Sequence, residues 1–289
     1  MHSLSRRAAA AAVSCAQSHG LEVRDARILG ASSNTLVELV PHGIVARVAS
    51  GTGLVRQGTA WLAHEVAVCG YLAAAGAPCA RPSDRIAPGP HEHDGFAISF
   101  WERLEALAEP VGPDAAGALL RRCHDALAGC EARLPALGII EETLHLTGHP
   151  LVTERLDEEE RALLRRSADR LRSRLEGATL PLRPLHGDAH PGNMLATASG
   201  PLLIDWEDCF AGPAEWDLAC LVGGMLLTGD EASARQALAG YGAPYDRERL
   251  ELMLAVRNLQ GVVWGALRLD APRANPRWRA RLHLLSERP

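Results

Sequence analysis

The sequence predicts an α+β chain in two parts, a small antiparallel sheet followed by a mostly helical remainder. Three observations carry this. Short runs rich in Val, Ile and Leu ("VRDARILG", "TLVELV", "IVARVAS", "FAISFW") fall within residues 23–101, separated by turn residues. Pro110, Gly112 and Pro113 then break the chain. From residue 114 onward the apolar pattern is helical, interrupted only around 182–206.

Taken in order, residues 4–19 read as a helix, and the strand-like runs at 23–30, 35–40 and 44–50 follow, joined by "ASSN" (31–34) and "PHG" (41–43). The stretch 58–76, "GTAWLAHEVAVCGYLAAAG", has helical periodicity with Gly76 placed to end it. "FAISFW" (96–101) is the last strand of the sheet. The expected organisation is an N-terminal β-rich part over 1–101, a linker at 102–112 and a helical part over 113–289. There is no internal repeat and no low-complexity tract.

Composition narrows the function. A net charge of -5 disfavours nucleic acid as a partner, which calls for a basic face. No apolar run reaches the length of a membrane span and the first residues lack a signal-peptide cleavage pattern, so the expected location is the cytoplasm, with no membrane partner. Seven cysteines without a CxxC indicate neither a disulfide framework nor a zinc ribbon. All 30 basic residues counted as Lys+Arg are arginine, a bias of the kind GC-rich coding produces. Any cation used to hold a phosphate must therefore be an arginine.

The chemistry concentrates in "LHGDAHPGNML" (185–195) and "LLIDWED" (202–208). Asp188 is followed five residues later by Asn193, and after twelve more by Asp205 at the end of an apolar run. Phosphoryl transfer needs one carboxylate to orient the attacking hydroxyl and separate oxygen ligands for Mg²⁺, and these residues fit those tasks. The N-terminal part offers an independent check: "IVARVA" carries Arg47, placed to meet nucleotide phosphates, and the following helix carries Glu65, placed to pair with it.

Together "LHGDAHPGNML", "LLIDWED" and "GPAEWDLACL" (212–221) resemble the aminoglycoside phosphotransferase/choline kinase family, whose hallmark is H-G-D-x-H-x-x-N followed by I-D-W/F-E/D. The likeness extends over about residues 28–227. It implies a bilobal, protein-kinase-like fold and transfer of phosphate from ATP or GTP to a hydroxyl of a small molecule such as an antibiotic, sugar or amino alcohol. Within it, Asp188 becomes the catalytic base and Asn193 and Asp205 the Mg²⁺ ligands. Arg47 and Glu65 serve the nucleotide phosphates, Ser32 and Ser33 occupy the place of the nucleotide-covering loop, and "WERL" offers main-chain groups of Trp101, Glu102 and Leu104 to the purine.

Other features have plainer readings. His186 and His190 are expected to be structural or to lie near the phosphates. Gly187 permits tight backbone geometry, and Asp217 is expected to cap its helix. The acidic run 153–161 suits a helix start. Residues 206–289 carry 11 Asp+Glu against 10 Arg, which does not favour a polycationic aminoglycoside as acceptor. Two rival readings stand beside the kinase: a metal-dependent hydrolase using the His-x-Asp-x-His cluster, and a nucleotide-binding module without catalysis.

Overall fold

The computed structural model describes residues 2–31, 34–50 and 58–287. The chain divides into two compact units. One comprises Met1–Pro110, Gly129–Ala132 and Leu195–Asp208, and the other Val111–Ala128, Arg133–Met194 and Cys209–Pro289.

In the first unit, helix α1 (His2–Ser18) is followed by strands β1 (Asp25–Ala31), β2 (Thr35–Val40) and β3 (Ile44–Val48), helix α2 (Ala60–Ala74), and strands β4 (His91–His93) and β5 (Phe96–Glu102). The five strands form one sheet in the order β1-β2-β3-β5-β4, every neighbouring pair antiparallel. Strand alternation decides what each face carries. Ile44, Ala46 and Val48 of β3 join Val37, Leu39, Ile98 and Phe100 in a core closed by the small side chains Ala8, Ala11, Ala12, Cys15 and Ala16 of α1. Arg47 therefore falls on the opposite face of the same strand. Strand β4 was not legible in the sequence: "HEH" is three residues long, polar, and on a sheet edge, so it has no buried face to write as apolar alternation.

The second unit is helical: α3 (Pro113–Leu127), α4 (Gly138–Leu146), α5 (Pro150–Thr153), α6 (Glu158–Glu176), α7 (Glu215–Leu227), α8 (Glu231–Tyr241), α9 (Arg247–Arg268) and α10 (Pro276–Glu287). Short segments Arg183–Leu185 and Phe210–Gly212 pair antiparallel. The acidic run 153–161 serves the start of α6. Asp157 accepts from the Glu160 N–H at 2.9 Å, and Glu160 returns the favour by accepting from the Asp157 N–H at 3.0 Å. Glu160 also pairs with Arg273.

Helices α3 and α8 touch backbone to backbone. A Cβ on Gly117 would lie 2.0 Å from the Ala237 carbonyl oxygen, and one on Gly240 2.1 Å from that of Asp114. Neither neighbour is a side chain that could swing aside. Gly117→Ala should therefore destabilise the protein by about 1–3 kcal/mol, as overpacking does. Gly224→Ala on α7, where an added Cβ meets nothing within 4 Å, should raise stability through helix propensity. Thermal unfolding of the two variants should give shifts of opposite sign.

Candidate active site

The first unit builds a polar cluster around Arg47, which is 6% exposed. Its guanidinium donates to Glu65 of α2, to Asp205 at 2.5 Å, and lies 2.6 Å from Glu207. Glu65 reaches this position because α2 buries it with Leu62, Val68, Cys69 and Leu72 on one face. One of its oxygens also accepts from the Trp206 N–H at 3.1 Å, which fixes the turn after Asp205. Glu207 in turn accepts from the Asn34 side chain at 3.1 Å.

One arginine thus faces three carboxylates, and the surplus negative charge has a consequence for each. Burial, joined by the neighbouring Asp205 and Glu207 and opposed by Arg47, pushes the Glu65 carboxyl up to about 8. Arg47 is held above the ordinary arginine range: burial alone would lower it, and Asp205, Glu65 and Glu207 more than reverse that. The Glu65 Oε2 atom is buried with no hydrogen-bond partner among the described residues. Asp205 has φ +68, a left-handed conformation that a non-glycine residue adopts at an energetic cost. Its side chain is 36% exposed while the other three are sequestered.

Arg47, Glu65 and Asp205, with Asn34, form the polar end of a cavity of about 290 Å³. Its apolar walls are Leu36, Val45, Ala80, Leu195 and Ile204, and the 101–104 segment borders it. Within that segment the N–H groups of Glu102 and Arg103 donate to the carbonyls of Arg81 and Gly43, both at 2.9 Å. The Leu104 N–H makes no internal hydrogen bond among the described residues. Trp101 packs by its ring, its Nε1 donating to Ser99 at 2.9 Å. Ser32 and Ser33 lie outside the described residues.

The second unit carries Asp188 on a loop whose backbone is held by side-chain hydrogen bonds. Gly187 has φ +90, which a side chain would strain. Asp217 of α7, fully buried, accepts from the N–H groups of His186 at 2.8 Å and Gly187 at 2.9 Å, and pairs with His124 at 2.9 Å. His124 in turn bonds the Tyr241 hydroxyl at 2.9 Å. The Trp216 indole donates to the Gly187 carbonyl at 2.7 Å. Asp217 is thus structural, but it does not cap its own helix: it lies inside α7 and spends both oxygens on the loop.

His186 and His190 act in the same way. Ring nitrogens of the two accept from the N–H groups of Asp188 and Gly192 at 3.1 and 2.9 Å. Among the described residues His186, Asp188 and His190 do not converge into a metal-binding cluster, so the geometry gives the hydrolase reading no support. Asn193 donates its side-chain nitrogen to the Asp188 carbonyl at 3.0 Å, which leaves its amide oxygen as the available donor atom for a cation. Asp188 itself meets Arg257 of α9 at 2.5 Å and the His190 ring at 3.5 Å. Burial favours its neutral form, but Arg257 and His190 outweigh this and hold the carboxyl below the usual carboxylate range. It stays ionised throughout the neutral range.

A family model described as "Phosphotransferase enzyme family" matches residues 56–253. The chain belongs to that family. A thiamine kinase of Shigella boydii serotype 4 (strain Sb227) is 45% identical over 56 residues, 19% of this chain and 20% of that relative. The chain thus matches about a fifth of that curated relative's length. Two solved structures share the protein-kinase-like fold. An amicoumacin kinase in complex with AMP-PNP, Ca²⁺ and Ami gives a TM-score of 0.72 at 16% identity, covering 93% of this chain and 90% of that one. A GDP and kanamycin complex of APH(2")-IIia gives 0.65 at 18%, covering 95% and 97%.

Two residues of this family member were missed in the sequence. Glu207 sits two positions after Asp205, so the signal for it lay in "LLIDWED" itself. Arg257 was signalled only by polarity, as Arg257, Asn258 and Gln260 interrupt an otherwise apolar stretch of α9.

The buried His124–Asp217 pair sets an acid limit on stability. Burial lowers the His124 imidazole despite Asp217, so from about pH 6.5 downward the unfolded chain binds the proton more readily and stability falls. Burial would raise Asp217, but His124, His186 and the backbone N–H bonds lower it, so its contribution is present above the unfolded carboxylate value and lost as pH falls through the folded one. The thermal midpoint should fall as pH is lowered from 7 to 4, and His124→Gln should flatten the upper part of that decline.

Proposed function

We propose that the protein is a small-molecule kinase that transfers the γ-phosphoryl group of ATP or GTP to a hydroxyl with the help of Mg²⁺. The observation that carries this reading is the buried Arg47, clasped by Glu65 and Asp205 at the polar end of a cavity with apolar walls. Such a cavity suits a purine against the apolar walls, with the Leu104 N–H available to its edge and the guanidinium fork available to phosphate.

The donor set fits a hard cation. Asp205 offers a partly exposed carboxylate and Asn193 an amide oxygen, the ligand types Mg²⁺ takes. When bound, Mg²⁺ would neutralise charge on the nucleotide phosphates. In the transfer, the acceptor oxygen bonds to the γ-phosphorus as its bond to the β-phosphate oxygen breaks. The hydroxyl proton passes to Asp188, and the nucleoside diphosphate leaves. The low carboxyl of Asp188 suits a loose transition state in which that proton moves late. Residues 102–112 serve as the linker between the nucleotide-binding part and the helical, acceptor-bearing part. No observation favours the non-catalytic reading, since each position that the chemistry needs is filled.

Asp188→Asn should lower kcat by about 10²–10⁴, the usual contribution of a positioned base, while leaving nucleotide affinity intact. Retention of wild-type kcat would remove Asp188 from the chemistry. Arg47→Lys should raise KM for nucleotide, because the charge survives but the two-pronged donor does not. Arg47→Ala should also destabilise the fold by about 3–5 kcal/mol, because it leaves Glu65, Asp205 and Glu207 facing one another uncompensated. Steady-state kinetics and denaturant unfolding on the two variants separate these effects.

A further inference from the structure

The second unit contains a cavity of about 200 Å³ whose wall includes Arg257, the partner of Asp188. Four arginines line it: Arg170 and Arg174 from α6, Arg257 from α9 and Arg281 from α10. No acidic side chain lines it. The rest of the wall is largely apolar, including Leu226 and Leu227 of α7, Leu254 of α9 and Leu284 of α10.

Among the described residues, three of the four arginines in this cavity have no carboxylate partner. Arg257 is the one lining arginine with a carboxylate partner, and that partner is Asp188. None of the ion pairs among the described residues includes Arg170, Arg174 or Arg281. Arg281 is the most telling. Its side chain lies flat across α9, with its Cδ and Nε only 2.6 Å from where a Cβ on Gly261 would sit. Its guanidinium makes one long hydrogen bond, to the Arg257 carbonyl at 3.5 Å. Burial and the neighbouring Arg257 charge pull it down to about 10, against the ordinary arginine value of about 12.5. A cation held in partial burial next to a second cation costs free energy unless an anion joins them.

We propose that this cavity is the acceptor subsite and that the acceptor is an oxyanion: a hydroxyl compound with a carboxylate or phosphate group on a short apolar body. The proposal rests on the kinase reading above. Arg281 and Arg257 take the oxyanion, for which a guanidinium is the matched donor. The leucines cover the apolar body. Arg257 lines this cavity and also meets the Asp188 carboxylate, which links the anchoring end of an acceptor bound here to the proposed base. The same charge excludes a polycationic aminoglycoside or a quaternary amino alcohol.

The test uses the full chain and three acceptors of matched length: 6-hydroxyhexanoate, 6-hydroxyhexyl phosphate and 6-aminohexan-1-ol. ADP release with MgATP is followed in a coupled assay, and MgATP binding is measured by calorimetry on the same preparation. One or both anionic compounds should give kcat/KM at least tenfold above the amine, and which of the two leads identifies the anionic group. Arg281→Gln should erase most of that preference through KM and leave MgATP affinity unchanged, with Arg170→Gln a milder version that does not threaten the fold. The exposed Arg172→Gln should leave the preference as in wild type. An amine used as well as or better than the anions, a preference indifferent to Arg281→Gln, or turnover of none of the three by protein that binds MgATP would overturn the proposal. A wild-type protein that binds neither MgATP nor MgGTP would instead remove the kinase reading, and the proposal with it; one that binds only MgGTP is assayed with MgGTP in the same way.

Discussion

Arg47 holds together more of the first unit than any other side chain. It is buried on β3, it is bound by Glu65 from α2, and it draws in Asp205 and Glu207 from a segment 158 residues further along the chain. A lysine could not do this, because an ammonium is a point charge and three carboxylates arriving from different elements need a planar, many-donor group. The price is an excess of negative charge around one cation, visible in the raised Glu65 carboxyl and in the buried Glu65 Oε2 without a partner. Such a cluster depends on Arg47 staying in place.

The second unit solves a related problem without surplus charge. The loop bearing Asp188 buries His186, Ala189 and Asn193, and acceptors aimed at its N–H groups fix its shape: Asp217 at positions 186 and 187, His186 at 188, His190 at 192. The Asp188 carboxylate itself meets Arg257, His190 and, at 3.4 Å, the Asn193 side-chain nitrogen. A rigid backbone with one ionised carboxylate presented at its tip is what a base for a hydroxyl requires. Each unit therefore pairs a partly buried aspartate, Asp205 in the first and Asp188 in the second, with an arginine that comes from another element.

Much of this could be read from the sequence, and the parts that could not share a cause. The sheet and the helices were legible because burial writes period-2 and period-3.6 patterns, and Arg47 and Glu65 stood out as charges inside apolar runs. Strand β4 was invisible because an edge strand of three polar residues buries nothing. The role of Asp217 was misjudged because position in a helix suggests capping, whereas its partners lie 31 and 30 residues earlier. The Arg257 contact to Asp188 spans 69 residues, and nothing local to either residue announces it. Long-range ion pairs leave no periodicity, so only the folded chain shows which carboxylate an arginine answers.

The surplus of carboxylates around Arg47 makes metal-linked nucleotide binding the decisive property. Calorimetric titration of the full chain with AMP-PNP and with a non-hydrolysable GTP analogue, in Mg²⁺ and again in EDTA, addresses it directly. Binding of at least one analogue that weakens by about tenfold or more, about 1.4 kcal/mol, when the metal is removed is the expected result. Asp205→Ala should abolish that difference. Nucleotide binding of equal strength with and without Mg²⁺, or none at all, would contradict the placement of a metal–nucleotide site at Arg47 and Asp205.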